Sequence, residues 1–133
     1  MGLVTMTNYT DVPTLSGVYL EDSYVLAIDE TPGALRFRGE FVLTEHHPAY
    51  HAPAPDEQYC YTDGWLVIPN TTRIEWTRRS TQHFTDAAGE EDLGNIDYLH
   101  RVDDHWLIGG DWGEARAYTG HDPQLVLTAS AES

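Results

Sequence analysis

The strongest constraint on the fold is a run of alternating apolar and polar residues in the last third of the chain, at positions 94–128. Ile96, Tyr98 and Val102 share one parity there, and Asp97 and Arg101 share the other. A period of two is typical of β-strands that turn one face to the core and one to solvent. The pattern therefore predicts consecutive antiparallel strands in this region.

Turn-forming residues divide the chain into hairpins. Asp103-Asp104 and residues 119–123 interrupt the alternation, and Thr31-Pro32-Gly33 predicts a turn between strands at 23–29 and 34–44. Asp63-Gly64 lies between two apolar runs, a combination that favours a type I′ hairpin turn. A further strand is predicted at residues 72–78, and the polar residues 79–93 are predicted to form a loop.

No segment carries the apolar stripe of an amphipathic helix. We therefore predict an all-β fold, an antiparallel meander of about eight to ten strands closed into a barrel or folded into a two-sheet sandwich. Residues 1–133 are predicted to form a single domain. Residues 1–15 are predicted to be an extended lead-in, frayed at its first few positions.

The charge of the chain restricts its partners. Acidic residues number 22 and basic residues 7, all of them arginine, for a formal net charge of -15. Such a charge disfavours nucleic acid and anionic membranes and favours a basic protein partner. The alternative is that the acidity only keeps the protein soluble.

The absence of lysine is typical of a GC-rich bacterial genome. With one cysteine and no apparent signal peptide or membrane span, we expect a cytoplasmic location.

Residues 45–57 form the first candidate site, because three prolines there predict a long irregular loop. Imidazoles are good zinc ligands, so a metal-binding alternative would use His46, His47, His51 and Glu57. Tyr50 lies between the histidines and would contribute to binding. Cys60, just beyond, would be either a nucleophile or a small buried residue. The simpler interpretation is a polar loop with incidental histidines, and no cofactor is predicted.

Two further groups of residues are candidates for binding. The acidic run Glu90-Glu91-Asp92 would offer carboxylates to a cation or to a basic partner, or would simply be solvated. Trp106 and Trp112 would stack on a flat ligand if exposed, although tryptophans in strands mostly build the core. We expect at least two of the four tryptophans to be core residues.

Three segments carry a resemblance to other proteins: residues 50–61 (Tyr-His-Ala-Pro-Ala-Pro-Asp-Glu-Gln-Tyr-Cys-Tyr), residues 94–98 and residues 110–115. They resemble a group of small bacterial all-β proteins with no assigned activity. The resemblance implies one β-domain after Val18 and no functional residue. In size and acidity, the chain is also similar to immunity proteins that neutralise secreted toxins.

Three functional hypotheses follow. The first is a non-catalytic binding protein of the immunity type, which uses an acidic surface to engage a basic protein. The second is a β-barrel that binds a small apolar or aromatic ligand in a cavity entered past residues 44–58. The third is a metal-dependent enzyme built on His46, His47 and His51.

Overall fold

The alternating residues form β-strands throughout the part of the chain that the computed structural model describes, which comprises residues 6–53, 55, 59–79, 84–85 and 91–128. The strands are β1 (Met6–Asn8), β2 (Val18–Thr31), β3 (Ala34–Leu43), β4 (Cys60–Pro69), β5 (Arg73–Arg79), β6 (Phe84–Thr85), β7 (Glu91–Asp92), β8 (Gly94–Val102), β9 (His105–Gly110), β10 (Gly113–Tyr118) and β11 (Gln124–Leu127). The all-β prediction is confirmed. No helix within these ranges is long and apolar enough to cross a membrane.

Nine antiparallel strands lie in one sheet, in the order β11-β4-β3-β2-β8-β9-β10-β5, with β1 also paired to β8. In the described part of the chain, two ladder pairs, Tyr24–Asn95 and Val25–Gly94, join the β2 half to the β8 half. Over the described residues the sheet is not closed into a barrel, so it matches the predicted barrel or sandwich only loosely. Outside the ladders, the Thr119 hydroxyl after β10 donates to the Pro69 carbonyl at the end of β4 at 2.7 Å, which joins the two halves a second time.

The core lies where the two halves of the sheet face each other. On β3 the residues of one parity are buried, among them Leu35, Phe37 and Phe41, as the alternation predicts. The Phe37 ring contacts Trp112, in the turn between β9 and β10, at a centroid distance of 4.9 Å. Burial of these large apolar side chains is the main favourable term in forming this fold.

The lead-in is more ordered than predicted. β1 pairs with β8, and two 3-10 turns follow at Tyr9–Asp11 and Pro13–Leu15. Tyr9, Val12 and Leu15 are all buried. Their spacing of three matches the period of a 3-10 turn, so three weakly patterned apolar residues cover the core together. Residues 6–8 are thus extended, whereas residues 9–11 and 13–15 form 3-10 turns in place of the predicted extended chain, and residues 1–5 lie outside the described part.

The predicted Asp63-Gly64 hairpin is also wrong. Both residues lie inside β4, paired with Glu40 and Gly39 of β3, and Gly64 pairs with Leu127 of β11 on the other side. Ladders on both sides hold the dipeptide extended and override its local turn preference. Gly64 allows the close approach of β11, because a Cβ atom there would lie 2.7 Å from a backbone oxygen of that strand.

The alternation in β8 is broken by a register shift between Ile96 and Tyr98. Ile96 and Leu99 are buried, whereas Tyr98 is only half-buried, so the predicted parity holds up to Ile96 and reverses after it. The predicted turns at Asp103-Asp104 and Thr31–Gly33 are confirmed as the connections β8–β9 and β2–β3.

Candidate functional site

The connection between β3 and β4 starts with a segment docked on the beginning of β2. The Thr44 amide donates to the Gly17 carbonyl at 2.8 Å, and successive turns bring the His47 amide to Thr44 and the Tyr50 amide to His47. Gly17 has a φ of 82°, and a Cβ atom there would lie 2.6 Å from the His47 nitrogen. The backbone of the loop therefore packs directly on this glycine.

The three histidines of this loop do not converge. The Ala49 amide donates to Nδ1 of His47 at 3.0 Å, His51 Nδ1 contacts its neighbouring carbonyl of Ala52, and His46 is exposed. Among the described residues, no three His, Cys, Asp or Glu side chains could hold a metal ion together. These histidines therefore form no metal site with one another in the described part of the chain. Glu57 lies outside the described residues.

A cleft of about 320 Å³ opens where the loop leaves the sheet. Its lining residues are Tyr19, Val42, Leu43, Thr44, Glu45, His46, Tyr50, Pro53, Tyr59 and Cys60. Two predicted binding residues, His46 and Tyr50, are thus brought together, and Tyr50 also packs on the core. His47 and His51 do not line the cleft.

A group of four tyrosines, here called the tyrosine cluster, continues from the cleft over the outer face of β2 and β4. Its members are Tyr19, Tyr24, Tyr59 and Tyr61. Tyr61 stacks on Tyr24 with centroids 5.9 Å apart and meets Tyr59 edge to face at 6.0 Å. Tyr19 and Tyr24 are 39% and 37% exposed, among the most exposed large hydrophobic side chains of the described chain.

An irregularity in β2 places Tyr19 and Tyr24 on the same face. Residues five positions apart point to opposite faces of a regular strand. The pairing of β2 with β3 shifts between Tyr19 and Tyr24. The buried Ser23 hydroxyl supports the shift, because it donates to the Tyr19 carbonyl at 2.7 Å and accepts from the Val42 amide at 2.9 Å. The side chains of Tyr19 and Tyr24 consequently lie on the same face of the sheet as Tyr61. Val42 of β3 pairs with Tyr19 on one side and with Tyr61 on the other.

Carboxyl groups lie beside the tyrosine cluster. A hydrogen bond to the Asp22 carboxylate, together with the charge of that group, raises the pKa of Tyr59. Burial, followed by a hydrogen bond with Tyr24, raises the pKa of Tyr61 to about 12. Tyr59 and Tyr61 therefore keep their phenolic protons at pH 7, and Asp22 and Glu45 contribute carboxyl groups beside them. This chemistry suits the binding of a cationic or hydrogen-bond-donating group.

The two predicted tryptophans are core residues. Trp106 is fully buried and donates from Nε1 to the His121 carbonyl at 3.2 Å, and Trp112 is 1% exposed and donates to the Asn95 carbonyl at 3.1 Å. Neither ring is accessible to a ligand, so the core alternative is confirmed and the binding alternative is wrong. The reason is that the sheet folds over both rings and satisfies each indole N–H internally.

The acidic run is described only in part. Glu91–Asp92 forms the short strand β7, which pairs with β6, so these two residues are not in the predicted loop. The amide of the next residue, Leu93, donates to the Val25 carbonyl at 2.8 Å and joins the segment to β2. Glu90 lies outside the described residues, and the role of the run as a contact for a basic partner stays a prediction.

Sequence reasoning missed the tyrosine cluster as a unit. The spacing of Tyr59 and Tyr61 indicated a shared face, but nothing local showed that β2 would bring Tyr19 and Tyr24 beside them. An excess of tyrosine in predicted strands, with a polar hydroxyl suited to a wet face, is the signal that would have drawn attention to them.

Comparisons with known proteins found no relative of this chain. No family model matches the chain, and no curated protein or solved structure shows significant similarity to it.

Proposed function

We propose that this chain is a non-catalytic binding protein, and that the tyrosine cluster with its adjoining cleft engages a basic protein partner. The observation that carries the proposal is the grouping of four tyrosines on one face, with Asp22 beside Tyr59, next to an open cleft that Glu45 also lines. Exposed tyrosine is enriched at protein interfaces, because it offers a large contact area at a low entropic cost.

The distribution of arginine supports the same half of the sheet. Five of the seven arginines, Arg73, Arg78, Arg79, Arg101 and Arg116, lie on β5, β8 and β10. The other two lie on β3, and one of these, Arg36, is paired with Asp29. The half of the sheet that carries the tyrosine cluster is therefore the half poorer in positive charge. Its potential complements a basic partner and raises the rate of encounter.

Selection of ligands from random peptides displayed on phage tests this proposal. The matched variants are Tyr24→Ser/Tyr61→Ser, within the tyrosine cluster, and Tyr118→Ser, on the other half of the sheet. We expect peptides rich in arginine and lysine to be enriched on the wild type and on Tyr118→Ser, and to be lost on the double variant.

The affinity of an enriched peptide should fall steeply as NaCl is raised to about 0.15 M, where charges are screened over about 8 Å. Fluorescence anisotropy of the labelled peptide measures this dependence. Enrichment of peptides without basic residues, or binding that is independent of salt, would contradict the proposed function.

A second candidate function is the binding of a small aromatic or apolar ligand in the same cleft. Its volume of about 320 Å³ lies within the usual range for ligand sites, about 300–1,000 Å³. This candidate uses a cleft at the surface in place of the interior of a barrel, since the sheet of the described residues is not closed. Ligand-observed NMR with aromatic fragments, repeated on Tyr19→Ser, distinguishes this candidate from the first.

A further inference from the structure

The chain itself uses one kind of contact repeatedly, an arginine guanidinium placed over an aromatic ring. The four pairs are Arg36 on Trp65 at 4.6 Å, Arg73 on Tyr118 at 4.3 Å, Arg79 on Trp76 at 4.1 Å and Arg101 on Trp106 at 5.9 Å. Within the described ranges, none of these contacts involves the tyrosine cluster. Its rings have the same chemistry but no guanidinium from the chain itself.

The cleft beside the tyrosine cluster has the features that an arginine side chain requires. Val42 and Leu43 supply apolar surface for the methylene stem, while Tyr19 and Tyr59 supply ring surface for the planar group. Glu45 is exposed and lines the same cleft, where its carboxylate can accept N–H bonds. No arginine belongs to the lining, so no guanidinium among the residues that form it competes for these acceptors.

We propose that this cleft takes a single arginine side chain of the partner, with the guanidinium against the rings of Tyr19 and Tyr59 and in contact with Glu45. The inference rests on the proposed function, since it names the anchor that the basic partner inserts. Arginine fits better than lysine, because the guanidinium is planar, stacks on aromatic faces and is more weakly hydrated than an ammonium. An anionic side chain is excluded by repulsion from Glu45 and Asp22.

The test uses three small probes: Nα-acetyl-arginine methylamide, its lysine counterpart and its citrulline counterpart, which keeps the shape of arginine without the charge. Chemical-shift changes of the backbone amides of residues 42–46 measure the binding of each probe to the full chain. We expect the arginine probe to bind about tenfold more tightly than the citrulline probe and severalfold more tightly than the lysine probe.

A pair of charge variants separates a local effect from a general one. Glu45→Gln should weaken the binding of the arginine probe about fivefold. Asp122→Asn removes one charge from an exposed turn residue outside the cleft lining and should leave the affinity within about a factor of 1.5, because a distant surface charge is screened. Both positions are exposed, so the fold should be unaffected; circular dichroism checks this point.

The possible failures are distinguishable. If the arginine and citrulline probes bind equally well, or if Glu45→Gln has no effect, the arginine anchor is wrong. If basic peptides still bind in a manner that depends on the tyrosines, the proposed function stands without that anchor. If no basic peptide binds the wild type, the proposed function itself fails.

Discussion

At the scale of the residue, Ser23 shows how one buried hydroxyl arranges a surface. Its side chain is fully buried, and its hydroxyl forms hydrogen bonds with two backbone groups, the Tyr19 carbonyl and the Val42 amide. These are the groups that the shifted pairing of β2 and β3 would otherwise leave unsatisfied. By replacing a ladder hydrogen bond, the hydroxyl allows Tyr19 and Tyr24 to share the outer face.

Tyr61 provides the pH prediction at this scale. Its pKa of about 12 lies above the ordinary value of 10.0, so the folded state retains the phenolic proton more strongly than the unfolded state does. Its contribution to stability is therefore fully present below pH 10 and is lost as the pH rises through 12. We expect Tyr61→Phe to lose stability less steeply than the wild type over this interval.

Alkaline titration followed by ultraviolet absorbance isolates this residue when the Tyr61→Phe spectrum is subtracted from that of the wild type. The difference should titrate near pH 12 in the folded protein and near pH 10 in urea. A folded-state difference that titrates near pH 10 would show that the surroundings of Tyr61 do not favour its neutral form.

At the scale of the element, local pattern was sufficient for the strands and for turns whose chemistry is decided locally. Asp103, with a φ of 55°, and Gly33, with a φ of 93°, adopt the left-handed conformation that their residue types tolerate. Local pattern failed at Asp63-Gly64, where flanking strands decide the conformation, and at Asp97, where the register of β8 shifts. Both failures depend on neighbours distant in sequence.

The candidate site was predictable to a similar extent. The loop of residues 45–57 was identified from its prolines, and His46 and Tyr50 do line the cleft. The convergence of β2 with β4 was not predictable, because it depends on strand order and on the shifted pairing around Ser23. Single-sequence patterns report which face a residue occupies along one strand, but not which strand lies beside it.

Gly64 gives the prediction at the scale of the element. In Gly64→Ala the added Cβ atom would lie 2.7 Å from the Val126 carbonyl oxygen, so β11 must move away from β4. We expect a loss of about 1–3 kcal/mol in the free energy of unfolding, as for other overpacked sites. Urea denaturation measures this loss, and hydrogen exchange should show faster exchange in β11.

Gly120→Ala is the matched control, because a Cβ atom at that position meets nothing within 4 Å. This variant should be close to the wild type in stability. Equal stability of the two alanine variants would contradict the tight contact between β4 and β11.

At the scale of the whole molecule, charge acts in opposite directions on folding and on binding. A net charge of -15 on 133 residues repels itself in the compact state. Added NaCl screens this repulsion, so we expect the Tm at neutral pH to rise by a few degrees between low salt and about 0.5 M NaCl. The same salt should weaken the binding of a basic peptide, since that attraction is screened as well.

Differential scanning calorimetry measures the Tm, and an equal osmolality of sucrose controls for exclusion of solutes from the protein surface. A Tm that falls with NaCl would indicate that local ion pairs, such as Arg116–Glu75, outweigh the overall repulsion.

The burial of Cys60 gives the molecule a built-in reporter. This one thiol begins β4, borders the cleft and is 1% exposed, so a bulky alkylating reagent can reach it only after the end of the strand separates from Leu43. The rate of alkylation under native conditions thus counts local openings beside the cleft, without an introduced label. A ligand in the cleft that contacts both the loop and β4 would slow the alkylation of Cys60. The alkylation rate therefore reports ligand binding in the cleft as well as local unfolding.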